Sequence, residues 1–376
     1  MEFGFNLEQN MLRKSFSEYF ARNCTPESVK EIIQSDEGFL RKIWKDMAKL
    51  GWLGLNYEQK YSGTEGTFLD LFILFEEIGK VLLPSPFFTS AVLSGFLIKA
   101  AGNDVQKNKF LPPLIKGKMI FTLADLDIQG IYGDDAISVK AETKADGTYL
   151  LEGTRFFVPY ANVADKILVC ADVVESGQIA PTLFLIDRRT DSLQIDDLKA
   201  LGIDKECAVQ FKNVSISKDD IIGEIGAGHT WMNKMLPVAI VLKCGEMVGG
   251  MKRVLDMTVE YTKQRHQFGR PLGALQAVQH HCADMATYVE SARVLAYQAA
   301  SLIDEGLPCT TEVAMAKAWC SDSYKKCTWI GHQLHGAYGF TEESDMHLYY
   351  KHAKASELML GHAWHHRHQV AQTLNL

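Results

Sequence analysis

Over the first 118 residues, apolar positions recur every three or four places, as in LEQNMLRKSFSEYF (7–20) and GTFLDLFILFEEIGKVLL (66–83). That spacing predicts amphipathic helices, and Pro84, Pro86, Pro112 and Pro113 stand where helices begin or stop. From 119 to 225 the pattern changes to short runs of alternating or bunched β-branched residues. They are AISVKAET (136–143), TYLLEGTRFFV (148–158), KILVCADV (166–173), TLFLIDR (182–188) and AVQFKNVSI (208–216). Turn formers, among them Asp146-Gly147 and Asn213, lie between the runs, and nothing helical interrupts them. An antiparallel β-barrel or sandwich is therefore expected, not a parallel nucleotide-binding sheet. From 226 to 376 the helical period returns in long stretches such as LKCGEMVGGMKRVLDMTVEYTKQ (242–264), which predicts a helix bundle. The expected class is α+β, mainly α, with an N-terminal helical domain (1–118), a central β domain (119–225) and a C-terminal helical bundle (226–376).

Composition narrows the function. A chain of 376 residues exceeds one compact core, and 47% hydrophobic against 23% charged residues describes an ordinary globular protein. The net charge of -7, with no basic block, argues against nucleic acid as a partner. No apolar run approaches the ~18 residues of a membrane span. The opening MEFGFNLEQNMLRK shows no charged-then-apolar leader pattern, so a cytoplasmic location is expected. The eight cysteines are scattered without a CxxC pair and read as small core residues, with no zinc or redox role.

Three segments carry candidate chemistry. RHQFGRPLGALQAVQHHCADM (265–285) gathers Arg265, Gln267, Phe268, Gln276, Gln279 and His280 beyond a helix. Arginine for phosphate and phenylalanine for stacking suit a phosphorylated aromatic ligand; on spacing alone, a charged inter-helix loop is the better fit. In GHQLHGAYGFTEES (331–344), Gly336 and Gly339 permit close approach of a ligand, or simply a tight turn between helices. The histidines of GHAWHHRHQ (His362, His365, His366, His368) read as a solvated face in preference to a metal site, and no metal is expected.

Five segments in order resemble acyl-CoA dehydrogenases across essentially the whole chain: GWLGLNYEQKYSGTEGT (51–67), KFLPPLIKGKMIFTLA (109–124), LEGTRFFVPYANVADKILVCA (151–171), YTKQRHQFGRPLGALQAVQHHCADM (261–285) and QLHGAYGFTEESDMHLYYKHAKASELMLG (333–361). The resemblance implies a helical domain, a β domain and a C-terminal four-helix domain, assembled as a tetramer. It implies FAD as cofactor and an acyl-CoA thioester as substrate, dehydrogenated between Cα and Cβ. An electron-transferring flavoprotein would take the electrons. Arg265, Gln267, Phe268, Gln333 and Gly336 match the positions that reach the FAD of the neighbouring subunit.

Around the chain's own flavin ring the match is poorer. Ala124 and Pro159 stand where relatives carry threonines. Leu360 occupies the position of the family's glutamate base, and Ala239 the position used by another branch. Glu246, two helical turns beyond Ala239, is the replacement base expected, unless it pairs with a cation such as Lys252. Asp125, Asp127 and His362 are weaker candidates. Three readings follow. The first is an active dehydrogenase with a displaced base, acting on a bulky, cyclic or dicarboxylic acyl group whose pocket draws on residues 86–100 and 236–249. The second is a non-catalytic subunit, within a heterotetramer, that completes a partner's FAD site. The third is an FAD-binding relative with different thioester chemistry.

Overall fold

The structure is a computed structural model that describes residues 4–124, 139–175 and 178–376. The N-terminal part contains α1 (Leu7–Asn23), α2 (Pro26–Gln34), α3 (Arg41–Lys49), α4 (Phe68–Val81), α5 (Gly95–Ala101) and α6 (Asp104–Ile115). Short polar residues start α1, α2, α4 and α6. Asn6, Thr67 and Asn103 each form a reciprocal capping box with the residue three along, satisfying amides that the first turn leaves free. Between α4 and α5 the chain widens into a π-helical turn, Phe88–Ser94. Ser90 and Thr89 of that turn accept the amides of Phe121 and Leu123, which ties it to the first strand.

The central sheet contains β1 (Phe121–Leu123), β2 (Lys140–Thr143), β3 (Tyr149–Pro159), β4 (Lys166–Glu175), β5 (Gln178–Asp187), β6 (Leu193–Leu198), β7 (Glu206–Ile216) and β8 (Ile221–Ile222). Its order is β6-β7-β3-β2-β4-β5-β8, with β1 also paired to β4. The expectation of a wholly antiparallel sheet is corrected here, because β1 and β2 both run parallel to β4. Alternation along a strand fixes which face is buried but not the direction of the neighbour. Asp146-Gly147 does turn β2 into β3, with Gly147 at φ 82° and the Asp146 carboxylate accepting the Thr148 amide at 3.0 Å. Asn213 is not a turn: at φ 56° it is the extra residue of a bulge within β7, opposite the Leu151/Glu152 step of β3.

The C-terminal part contains α7 (Gly228–Gln264), a two-strand hairpin of β9 (His266–Gln267) and β10 (Arg270–Pro271), then α8 (Gln276–Asp304), α9 (Thr310–His335), α10 (Met346–Leu358) and α11 (Ala363–Thr373). The two helical regions share one apolar core, in which Phe72 and Phe75 of α4 join Met247 and Val248 of α7 and Tyr324 of α9. A separate core, including Tyr149, Phe184, Val209 and Phe211, fills the β unit.

The crossing of α4 and α7 depends on glycine. A Cβ on Gly79 would lie 1.8 Å from the Glu246 carbonyl oxygen, and one on Gly249 would lie 1.9 Å from that of Glu76. Neither backbone can yield without parting the helices. Gly249→Ala should therefore cost about 1–3 kcal/mol or more of unfolding free energy, measurable by urea titration; a neutral result would mean that the helices are not held this closely.

Candidate active site

The α4–α7 crossing fixes α7 beside the end of β3, where a small cavity forms. Its walls come from the π-helical turn (Phe88), β3 (Pro159), α7 (Lys243, Glu246), the segment before β7 (Asp204) and the end of α10 (Met359). Its free volume is about 20 Å³, room for about one water molecule. Phe75, Phe87 and Phe88 occupy the rest, with Phe75 and Phe87 stacked at 5.4 Å.

Glu246 is at this cavity, as its helical position predicts, but its carboxylate is engaged on both sides. Lys243 Nζ donates to Oε2 at 2.7 Å and His352 Nε2 donates to Oε1 at 2.7 Å. On the far side of the ring, His352 Nδ1 accepts from the Tyr324 hydroxyl at 3.1 Å. Lys243 also lies 4.6 Å from the centre of the Phe88 ring. Burial opposes ionisation of Glu246, but Lys243 and His352 outweigh it and hold the carboxyl down at about 2. A carboxylate so stabilised is a weak base. Its cationic partner is Lys243 and not Lys252, which pairs with Asp256.

The two positions where the sequence resemblance would place a base, Ala239 and Leu360, both carry buried apolar side chains. Ala239 is fully buried in α7. Leu360 is buried at φ 58° in the turn between α10 and α11, which is held from two sides. His366 Nε2 donates to the Leu360 carbonyl at 2.9 Å, and Lys317 Nζ to the Gly361 carbonyl at 2.8 Å. Burial lowers His366 to about 4, so its ring is neutral near pH 7. His362 serves as N-cap of α11, its Nδ1 accepting the His365 amide at 3.1 Å. Asp125 and Asp127 lie outside the described residues. Ala124 is buried, its amide donating to the Leu168 carbonyl, and the Pro159 carbonyl accepts from Thr122 Oγ1. No group of three or more His, Cys, Asp or Glu suited to a metal occurs among the described residues.

Two acids missed in the sequence stand close by. Asp204 lines the cavity and accepts the Tyr160 hydroxyl at 2.7 Å. Glu206 is in register with Pro159 across β3 and β7. Its Oε2 is shielded from solvent and has no hydrogen-bond partner among the described residues. Burial raises Asp204 above the usual carboxylate range and Glu206 well above it. Nothing in LGIDKECAVQF distinguishes these two from ordinary surface acids.

Arg265, Gln267 and Phe268 meet on the exposed hairpin after α7, and Gln333 and Gly336 lie at the exposed end of α9. Tyr261 joins the two places: its ring stacks on His335 at 4.3 Å and on Tyr338 at 5.8 Å. Phe268 is 85% exposed at φ 55° and Gly269 follows at φ 76°. No atom lies within 4 Å of a Cβ built on Gly269 or Gly336. Arg265 and Arg270 form no ion pair among the described residues. A bare aromatic ring, unpaired guanidinium groups and open glycine backbone fit a planar ring carrying phosphates, as FAD does.

Comparison with known proteins agrees with this architecture. Residues 6–118 match the acyl-CoA dehydrogenase N-terminal domain, and residues 226–375 match the C-terminal domain. A short/branched chain specific mitochondrial acyl-CoA dehydrogenase of Rattus norvegicus is 27% identical over 95% of this chain and 83% of its own. The caffeyl-CoA reductase-Etf complex subunit CarC of Acetobacterium woodii is 29% identical over 92% of this chain and 93% of its own. The butyryl-CoA dehydrogenase of Megasphaera elsdenii superposes with a TM-score of 0.91, at 25% identity over the whole of both chains. The chain belongs to the acyl-CoA dehydrogenase family, a family of FAD-dependent oxidoreductases. Among the described residues, no helix is long and apolar enough to cross a membrane.

Proposed function

We propose that the chain acts in an FAD-dependent acyl-CoA dehydrogenase that forms a double bond between Cα and Cβ of an acyl-CoA thioester. The observation that carries this reading is the exposed face of Arg265, Gln267, Phe268, Gln333 and Gly336. Each is exposed in a single chain, which is the condition of a surface that completes a site on a neighbour. Arg265 would pair with the pyrophosphate and Phe268 would stack on the adenine half of an FAD held mainly by another copy. Bound FAD supplies the acceptor for the β-hydride. This chain's contributions are to orient that cofactor and, at its own cavity, to exclude water and take a proton. Phe75, Phe87 and Phe88 give the cavity an apolar lining of the kind that an acyl chain would contact. An oligomer follows from a site shared between chains. An electron-transferring flavoprotein suits the acceptor role, as one relative is a subunit of a complex with Etf.

A second reading is favoured by the apolar, doubly fastened Leu360 turn and by buried Ala239. In it the chain completes the FAD site of a related subunit that carries the glutamate. The flavin-to-chain ratio, the native mass and bleaching of the flavin band by butyryl-CoA separate the two. One FAD per chain in a homotetramer that bleaches supports the first reading. A colourless chain that gains FAD only with a related subunit supports the second. In either case Arg265→Ala should weaken FAD retention by about 1.5–3 kcal/mol, roughly 10- to 150-fold, as expected for a lost charged hydrogen bond. Equal flavin content after equilibrium dialysis would remove Arg265 from the site.

A further inference from the structure

We propose that Asp204, and not Glu246, is the carboxylate that takes the α-proton of the acyl thioester at this chain's own cavity. The assignment rests on the first of the two readings above. The cavity beside Pro159 and Met359 presents four ionisable side chains, of which two are carboxylates: Tyr160, Asp204, Lys243 and Glu246. Glu246 has both oxygens committed, one to Lys243 and one to His352, so accepting a proton there would break a buried ion pair. Asp204 commits only Oδ1, to the Tyr160 hydroxyl at 2.7 Å. Its Oδ2 takes no hydrogen bond, and the residue no ion pair, from any described residue.

The surroundings tune Asp204 as a base. Burial raises its affinity for a proton and Glu246 on α7 adds to that, while Lys243 on α7, Tyr160 beyond β3 and His352 on α10 oppose it. Glu206, two residues along, is held well above the usual carboxylate range, chiefly by burial and then by Asp204. Its shielded Oε2, without a hydrogen-bond partner among the described residues, marks a polar interior that these residues do not satisfy. Lys243 places a positive charge on the same wall, where negative charge would develop on the thioester oxygen.

The step balances without an oxidant. The Cα–H bond breaks, its electron pair remains on the thioester as the enolate, and the proton passes to Asp204 Oδ2. The reverse step returns a proton that has exchanged with solvent. It is therefore measurable as loss of deuterium from [2,2-²H₂]butyryl-CoA in light water, by NMR, with the FAD-loaded full chain and no electron acceptor.

Asp204→Asn should slow exchange by at least about 100-fold while FAD and butyryl-CoA still bind. Asp204→Glu should restore part of the exchange. Tyr160→Phe removes a hydrogen bond that favours the ionised acid, so the pH midpoint of exchange should move upward. If Asp204→Asn, folded and yellow, exchanges as fast as wild type, Asp204 is not the base and the dehydrogenase reading stands. If wild type binds FAD and butyryl-CoA yet shows no exchange, the self-sufficient reading fails and the assignment fails with it.

Discussion

Glu246→Gln should lower the unfolding free energy by about 3–5 kcal/mol, because it strands the buried ammonium of Lys243 without its counter-charge. Lys243 and Glu246 are 2% and 6% exposed, so water cannot take over the lost partner. The Phe88 ring at 4.6 Å offers Lys243 only a cation–π contact, worth about 2 kcal/mol when desolvated. Removing both charges together is a different experiment. Lys243→Met with Glu246→Met leaves neither ion buried and should recover most of the loss, since a buried pair seldom outperforms apolar side chains of similar volume. Urea unfolding of the two single variants and the double variant closes the cycle. A single-variant cost below about 1 kcal/mol would show that the pair is solvated in solution.

The pH dependence has a defined direction. Glu246 titrates at about 2 when folded, against the ordinary 4.5, so its contribution is present above pH 4.5 and lost as pH falls through 2. A difference of 2.5 units, 4.5 less 2, corresponds to about 3 kcal/mol at 1.36 kcal/mol per unit. The double variant should lack that acid slope.

The sequence made some of this plain and hid the rest for physical reasons. Periodicity located the helices of α4 and α7 and the long strands β3, β4 and β7, because each has a one-sided apolar face or a β-branched run. The strand β6, LQIDDL, went unseen: it is an edge strand with little to bury, so its pattern is mostly polar. Counting along α7 puts Glu246 two turns beyond Ala239, and in the structure it lines the cavity. Its neutralisation was invisible there in part, because His352 comes from α10, 106 residues away. Lys243, three residues before it, was legible in hindsight as a lysine on the same face of an apolar helix. Asp204 and Glu206 carry no local signal, since their environment is made by β3 and α7. The exposed Arg265 hairpin shows the converse: its polar, glycine-rich wording reads as an ordinary loop until its bare ring and unpaired cations are seen together.

Lys317→Met should cost about 3–6 kcal/mol and loosen the turn that carries Leu360. Lys317 lies fully buried in α9, within the otherwise apolar AMAKAWC. Its ammonium donates to the carbonyls of Ser356, Glu357 and Gly361 at 3.0, 3.0 and 2.8 Å. These are among the last acceptors of α10 and its exit turn, which no further helical amide can reach. Methionine fills the volume but donates nothing, leaving three buried carbonyls at about 1–3 kcal/mol each, offset by the avoided burial of a charge. Amide exchange should speed up first at Gly361 and His362, where Lys317 and His366 together hold the backbone. Burial lowers Lys317 from 10.5 to about 8. The folded state therefore gives up this proton before the unfolded state does, and wild-type stability gains from the group between pH 8 and 10.5. The deficit of Lys317→Met should widen across that window. A deficit that stays constant from pH 7 to 10 would mean that the ammonium keeps its proton inside the carbonyl cage, with hydrogen bonding outweighing desolvation.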